Sequence, residues 1–195
     1  MSYPLALRFK ILAVAQQIAV YDSSQRLLMY VKQKAFKLKE AITVFADEAQ
    51  TRPLYRIAAD RIIDFSATYA ITTADGENVG AIRQKGMKSL WRARYEIVRG
   101  NDVIFTVSEE NPWTKFADGV FQGIPLIGIL SGYLFHPKYL ISTSAGTGVI
   151  RATKQPAFLE GLFTVERLPT QLSPDDERLL LIGAVTMVLL ERRRG

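Results

Sequence analysis

The chain has 195 residues, 48% hydrophobic and 23% charged, with no cysteine, one histidine and a formal net charge of +6. Such totals specify one globular domain with a sizeable core and exclude a disordered chain. The lack of cysteine excludes a disulfide framework, a thiol nucleophile, thiolate metal sites and S-palmitoylation, and it fits a reducing compartment.

The N-terminus reads as a strand with one wet face. Leu7, Phe9 and Ile11 alternate with Arg8 and Lys10, which is the period of a pleated strand. Ala13-Val14-Ala15 resembles a signal cleavage motif, but the two basic residues interrupt the apolar run before it, so no secretory signal is expected.

Three segments then share one pattern. Ile18-Ala19-Val20-Tyr21 leads through Asp22-Ser23-Ser24 to Tyr30-Val31-Lys32-Gln33-Lys34, with Phe36 beyond. Tyr69-Ala70-Ile71-Thr72-Thr73 leads through Asp75-Gly76 to Ala81-Ile82-Arg83-Gln84-Lys85, with Met87 beyond. Tyr139-Leu140-Ile141-Ser142-Thr143 leads through Ala145-Gly146-Thr147-Gly148 to Ala152-Thr153-Lys154-Gln155, with Phe158 beyond. Each predicts a β-hairpin that ends in a basic residue plus glutamine, and the Asp-Gly and Gly-x-Gly turns supply the positive φ that tight turns need. A further strand follows each hairpin, at Ile42-Thr43-Val44-Phe45, Tyr95-Glu96-Ile97-Val98 and Phe163-Thr164-Val165. The first two units gain one more partner, around Tyr55 and around Phe105. About a dozen strands is too many for one open sheet and suits a closed barrel or a two-sheet sandwich.

One stretch breaks the pattern. Asn111-Pro112 reads as a helix start, and Trp113, Phe116, Val120 and Phe121 fall near helical spacing before an apolar run to Phe135. Proline and glycine interrupt it, so residues 111–136 are expected to form a helical, apolar insertion that caps the core and does not span a membrane.

The C-terminus decides the architecture. Ser173 caps a helix, Pro174 takes its first position, and Asp175, Asp176 and Glu177 occupy its first turn. A run from Leu179 to Leu190, apolar but for Thr186, follows, closed by Arg192, Arg193 and Arg194. A helix apolar on all sides is buried on all sides or lies in lipid. This one is short for a transmembrane span. Strands enclose a helix completely only by closing, so the prediction is a mainly β domain, a barrel of about twelve strands around a central helix at 174–191, with residues 1–195 as one domain.

On these features the chain resembles the LURP-one-related proteins, which group with the tubby C-terminal domains and the phospholipid scramblases. The resemblance rests on the hairpin ends Val31-Lys32-Gln33-Lys34 and Ile82-Arg83-Gln84-Lys85 and on the terminal apolar helix, and it extends from about Gln17 to the end. It implies a twelve-stranded barrel around a central helix. It also implies lipid as a ligand class, since tubby domains bind phosphoinositide headgroups through basic residues and scramblases are associated with lipid movement and calcium. This chain has no cysteine cluster and no acidic loop with alternating oxygen ligands, so neither acylation nor calcium is expected.

The candidate site is basic. Lys32, Lys34, Lys37 and Lys39 follow the first hairpin, and Arg83, Lys85, Lys88, Arg92 and Arg94 follow the second. If the repeats are equivalent, the two groups lie near related rims and sum their fields on an anionic surface. The competing reading is a solvated face whose lysines guard strand edges. His136 precedes Pro137 and has no HExxH context. The pairs Asp47-Glu48, Glu109-Glu110 and Asp175-Asp176 have turn or capping explanations, and Trp91 and Trp113 read as packing residues. No enzyme activity, metal or cofactor is therefore expected. The favoured function is a binding module for anionic, phosphoinositide-like lipid, in the cytoplasm at the membrane periphery. A nucleic-acid or protein-binding adaptor is the alternative.

Overall fold

In the computed structural model, residues 1–10, 15–34, 42–60, 67–85, 94–110, 138–156 and 160–191 are described. They form strands β1 (Leu5–Lys10), β2 (Ala15–Tyr21), β3 (Leu27–Lys34), β4 (Ile42–Phe45), β5 (Pro53–Ala59) and β6 (Thr68–Thr73). β7 (Asn78–Lys85), β8 (Arg94–Arg99), β9 (Asp102–Glu109), β10 (Lys138–Thr143), β11 (Gly148–Gln155) and β12 (Glu160–Arg167) follow, and then helix α1 (Pro174–Glu191). Each strand pairs antiparallel with its neighbours in sequence, and β12 pairs with β1, so the sheet closes. The expected insertion at 111–136, with Trp113 and His136, lies outside the described residues, as does Trp91.

The repeat seen in the sequence is structural. β2–β5 and β6–β9 are two four-stranded units, and β10–β12 form a third that lacks its last strand. The N-terminal strand fills that place: Leu5 pairs with Val165 and Phe9 with Gly161. In each unit the first hairpin has a register shift just before its turn, after Val20, Ile71 and Ile141. Counted from those shifts, Lys154 occupies the position of Gln33 and Gln84, and Gln155 that of Lys34 and Lys85. The Lys-Gln pair of the third hairpin is thus one residue out of phase, which exchanges the faces of its two side chains.

Four turns at one end of the barrel share one solution. A side-chain oxygen accepts the N–H four residues on: Asp22 from Arg26 at 3.0 Å, Asp47 from Thr51 at 3.1 Å, Thr73 from Glu77 at 3.1 Å and Thr143 from Thr147 at 3.2 Å. The residue before each donor has positive φ: Gln25 (59°), Gln50 (62°), Gly76 (92°) and Gly146 (87°). Burial pushes the Asp22 carboxyl up, but the backbone N–H and guanidinium of Arg26 and the N–H of Ser24 outweigh it and hold the group below its ordinary value. The Thr51 N–H does the same for Asp47, against a smaller burial effect.

The helix enters at this turn end. Ser173 Oγ accepts the Asp176 N–H at 3.1 Å, which is the cap read from the sequence. Arg99, at the end of β8, pairs with Asp176 at 2.8 Å, and Arg167, at the end of β12, pairs with Glu177 at 2.7 Å. Beyond these two clamps the side chains from Leu179 to Leu190 are buried, most of them completely. They meet the inward residues of the strands, among them Leu7, Ile18, Ile57, Ile71, Ile82, Ile97 and Ile141. Thr186, the one buried hydroxyl on the helix, donates to the Ile182 carbonyl at 2.8 Å and so adds no unsatisfied group.

Two glycines let helix and wall approach. A Cβ on Gly183 would lie 2.5 Å from Ile97 Cδ1. Gly80 has φ +153°, and a Cβ there would lie 2.5 Å from the Val98 carbonyl oxygen and 2.9 Å from Leu179 Cδ1. Gly76 has positive φ but nothing within 4 Å. Gly80→Ala is therefore expected to lower unfolding stability by about 2–4 kcal/mol, against about 1 kcal/mol for Gly76→Ala. Urea denaturation of both variants separates close approach from backbone strain. Equal losses would remove the packing role assigned to Gly80.

Candidate functional site

Of the candidate basic residues, Lys32, Arg83 and Lys85 are described with their side chains, and all three lie toward one end of the barrel. β3 and β7 both run from the tight turns to the opposite end, where Lys34 and Lys85 are their last residues. Lys32 lies on β3, exposed on the outer wall, and its backbone is opposite Gln17. Arg83 and Lys85 lie on β7, with Arg94 opposite Lys85 at the start of β8. The side chains of Lys34 and Arg94 are outside the described set, and Lys37, Lys39, Lys88 and Arg92 lie outside the described residues altogether. β3 and β7 are four strands apart in a ring of twelve. The described members of the two groups thus share an end of the barrel but leave it on walls about a third of the circumference apart.

The sequence reading missed an acid among these bases. Glu96, opposite Arg83 in register, accepts an ion pair from Lys85 at 3.1 Å and lies 3.8 Å from Arg83. Its side chain is only 16% exposed, and its Oε2 is buried with no hydrogen-bond partner. One carboxylate thus sits under two cations and halves their combined charge. Strand alternation carried the signal: Glu96 stands opposite Arg83 in register, so the two side chains take the same face of the β7–β8 pair.

Of the acids singled out in the sequence, Asp47, Glu110 and Asp176 serve the fold. Asp47 caps its turn, and Asp176 is clamped by Arg99. Glu110 accepts two guanidinium nitrogens of Arg151, at 3.1 and 3.0 Å. At the turn end, Tyr3 lies under the Arg167 guanidinium, 5.9 Å from ring centroid to Cζ. Its hydroxyl is pushed up to about 12, chiefly by burial and then by the Glu177 carboxylate. Among the described residues no group of three or more His, Asp or Glu is placed to hold a metal ion, and no helix is long and apolar enough to cross a membrane.

A family model described as LURP-one-related matches residues 27–125, just over half of the chain, beginning at the first residue of β3. No curated protein and no solved structure matches it.

Proposed function

We propose, on the premise that this chain belongs to the LURP-one-related family, that it is a non-enzymatic module that binds anionic lipid at a membrane surface. The observation that carries this reading is where the charge falls. Among the described residues Lys and Arg equal Asp and Glu in number, so the whole excess of +6 belongs to the remaining segments. In chain order those segments are the ones that follow β1, β3, β5, β7, β9, β11 and α1. In sequence they hold Lys37, Lys39, Arg61, Lys88, Arg92, Lys115 and Arg192 to Arg194 against Glu40, Asp64 and Asp118, together with apolar pairs such as Ile62-Ile63 and Leu90-Trp91. The turn end carries Asp22, Asp47, Glu48, Asp75, Glu77 and Asp102. The described strand ends that these segments follow lie opposite the acidic turns, and a basic, apolar end opposite an acidic one would orient a peripheral protein on an anionic bilayer.

Sedimentation with vesicles tests it. The chain is expected to pellet with vesicles containing phosphatidylserine or phosphoinositide at low salt and to stay in solution with phosphatidylcholine alone; no binding to the anionic vesicles overturns the reading. With basic residues near a membrane worth about 1 kcal/mol each, replacing Lys37, Lys39, Lys88 and Arg92 together by alanine is expected to weaken binding by at least about a hundredfold. Glu96→Gln is expected to tighten it severalfold by releasing Arg83 and Lys85. The adaptor alternative ranks lower because the described helix is buried on all sides from Leu179 to Leu190, and its exposed first turn is mostly acidic and unsuited to a nucleic-acid groove. A salt-dependent shift with DNA or RNA stronger than the lipid signal would reverse that order.

A further inference from the structure

A cleft of about 170 Å³ lies on the outer wall of β1–β3, beside the β4–β5 turn. Its floor is Ala19, a small residue between two large neighbours in register: Arg8 on β1 and Tyr30 on β3. Arg8 forms one side. Its guanidinium carbon lies 5.2 Å from the Tyr21 ring centroid, and Nη2 donates a long bond of 3.3 Å to the Gln25 amide oxygen. Glu48, from the turn, forms the other side and accepts the Tyr21 hydroxyl at 3.0 Å. Tyr30 lines the cleft too. It is on the outward face yet only 7% exposed, and burial, then the Glu48 carboxylate, push its hydroxyl up, so it stays a neutral donor.

Arg8 and Glu48 thus face one cleft with opposite charges, separated by the Tyr21 ring, and make no ion pair with each other or with another described residue. Two opposite charges that line one cleft without pairing with each other are complementary to a molecule that bears both signs. The anionic half of such a guest accepts from the guanidinium, a fork suited to carboxylate or phosphate. Its ammonium donates to Glu48 in a charge-assisted hydrogen bond. The volume corresponds to about five or six waters at ~30 Å³ each.

We propose that this cleft is a binding site for a small zwitterion that carries an ammonium and a phosphate or carboxylate, of the size of phosphoethanolamine or an amino acid. It is a second site, separate from the basic end, and its failure leaves the reading of that end intact. Calorimetric titration of the full chain tests it, with phosphoethanolamine, glycine, inorganic phosphate and ethylammonium as probes. A zwitterion is expected to bind in the millimolar range, as suits so small a ligand, and each single-charge probe at least about tenfold more weakly. Arg8→Gln and Glu48→Gln are each expected to cost about tenfold in affinity. Both residues are exposed, so circular dichroism should show an unchanged fold, and Tyr30→Phe serves as a third variant. Pelleting with phosphatidylethanolamine vesicles that is weakened by Glu48→Gln identifies a lipid headgroup as the source; binding of the soluble zwitterion without it identifies a soluble metabolite. No binding of either zwitterion, binding insensitive to all three variants, or inorganic phosphate binding as tightly as phosphoethanolamine overturns the proposal.

Discussion

Val185→Asp is expected to leave no cooperatively folded protein. Val185 is fully buried on α1, and the helix around it, from Leu179 to Leu190, faces strand residues such as Ile82, Ile97 and Ile141. A carboxylate there has two options, and both are costly. It stays ionised without a partner, or it takes a proton and still buries hydroxyl and carbonyl groups among aliphatic side chains. Either way the loss is several kcal/mol, against a total stability of about 5–15 kcal/mol for a domain of ordinary size. Thr186, one residue on, shows the condition on which polarity is tolerated: its hydroxyl is satisfied by the Ile182 carbonyl one turn back. Val185→Thr keeps that option and is expected to remain folded with a loss of about 1–2 kcal/mol. Thermal melts by circular dichroism of the two variants give the comparison. A cooperative melt for Val185→Asp near that of the parent would mean that α1 does not fill the barrel.

Removing the chain from Ser173 onward is expected to have an equally large effect by the opposite route. Deletion introduces no polar group; it takes away what the inward side chains pack against. The barrel wall closes on itself through the β1–β12 pairing, so its backbone hydrogen bonds do not require the helix. Its interior does: Leu7, Ile18, Val44, Ile57, Ile71 and Val165 are all less than 2% exposed only because α1 and one another cover them. Protein interiors do not hold a void of that size, since the lost contacts cost energy in proportion to cavity volume. The truncated chain is expected to aggregate or to collapse to a state with β-type far-ultraviolet circular dichroism, no near-ultraviolet signal and strong dye binding. A soluble truncated chain with an unchanged spectrum and a cooperative melt would show that the helix is not the core, and the twelve strands would need another source of burial.

Residue order by itself determined most of the architecture, because the signals involved are local or periodic. Alternation at Leu7 and Phe9 specified β1, and the three hairpins were legible from turn residues such as Asp75-Gly76 and Gly146. The terminal helix was legible from its cap at Ser173 and from the lack of any polar face, which forced burial and hence closure. What the sequence lacked was register and adjacency between distant segments. The membership of β1 in the third unit, the one-residue phase shift that gives Lys154 the place of Gln84, and the Glu96 carboxylate beneath Arg83 and Lys85 all depend on which strands lie side by side. The Arg8–Glu48 cleft does too. Its parts come from four separate elements, β1, β2, β3 and the β4–β5 turn, and Glu48 alone reads as an ordinary turn acid. Periodicity tells each side chain which face to take, but only closure of the barrel decides which charges share that face, since electrostatic pairing depends on distance through space and not along the chain.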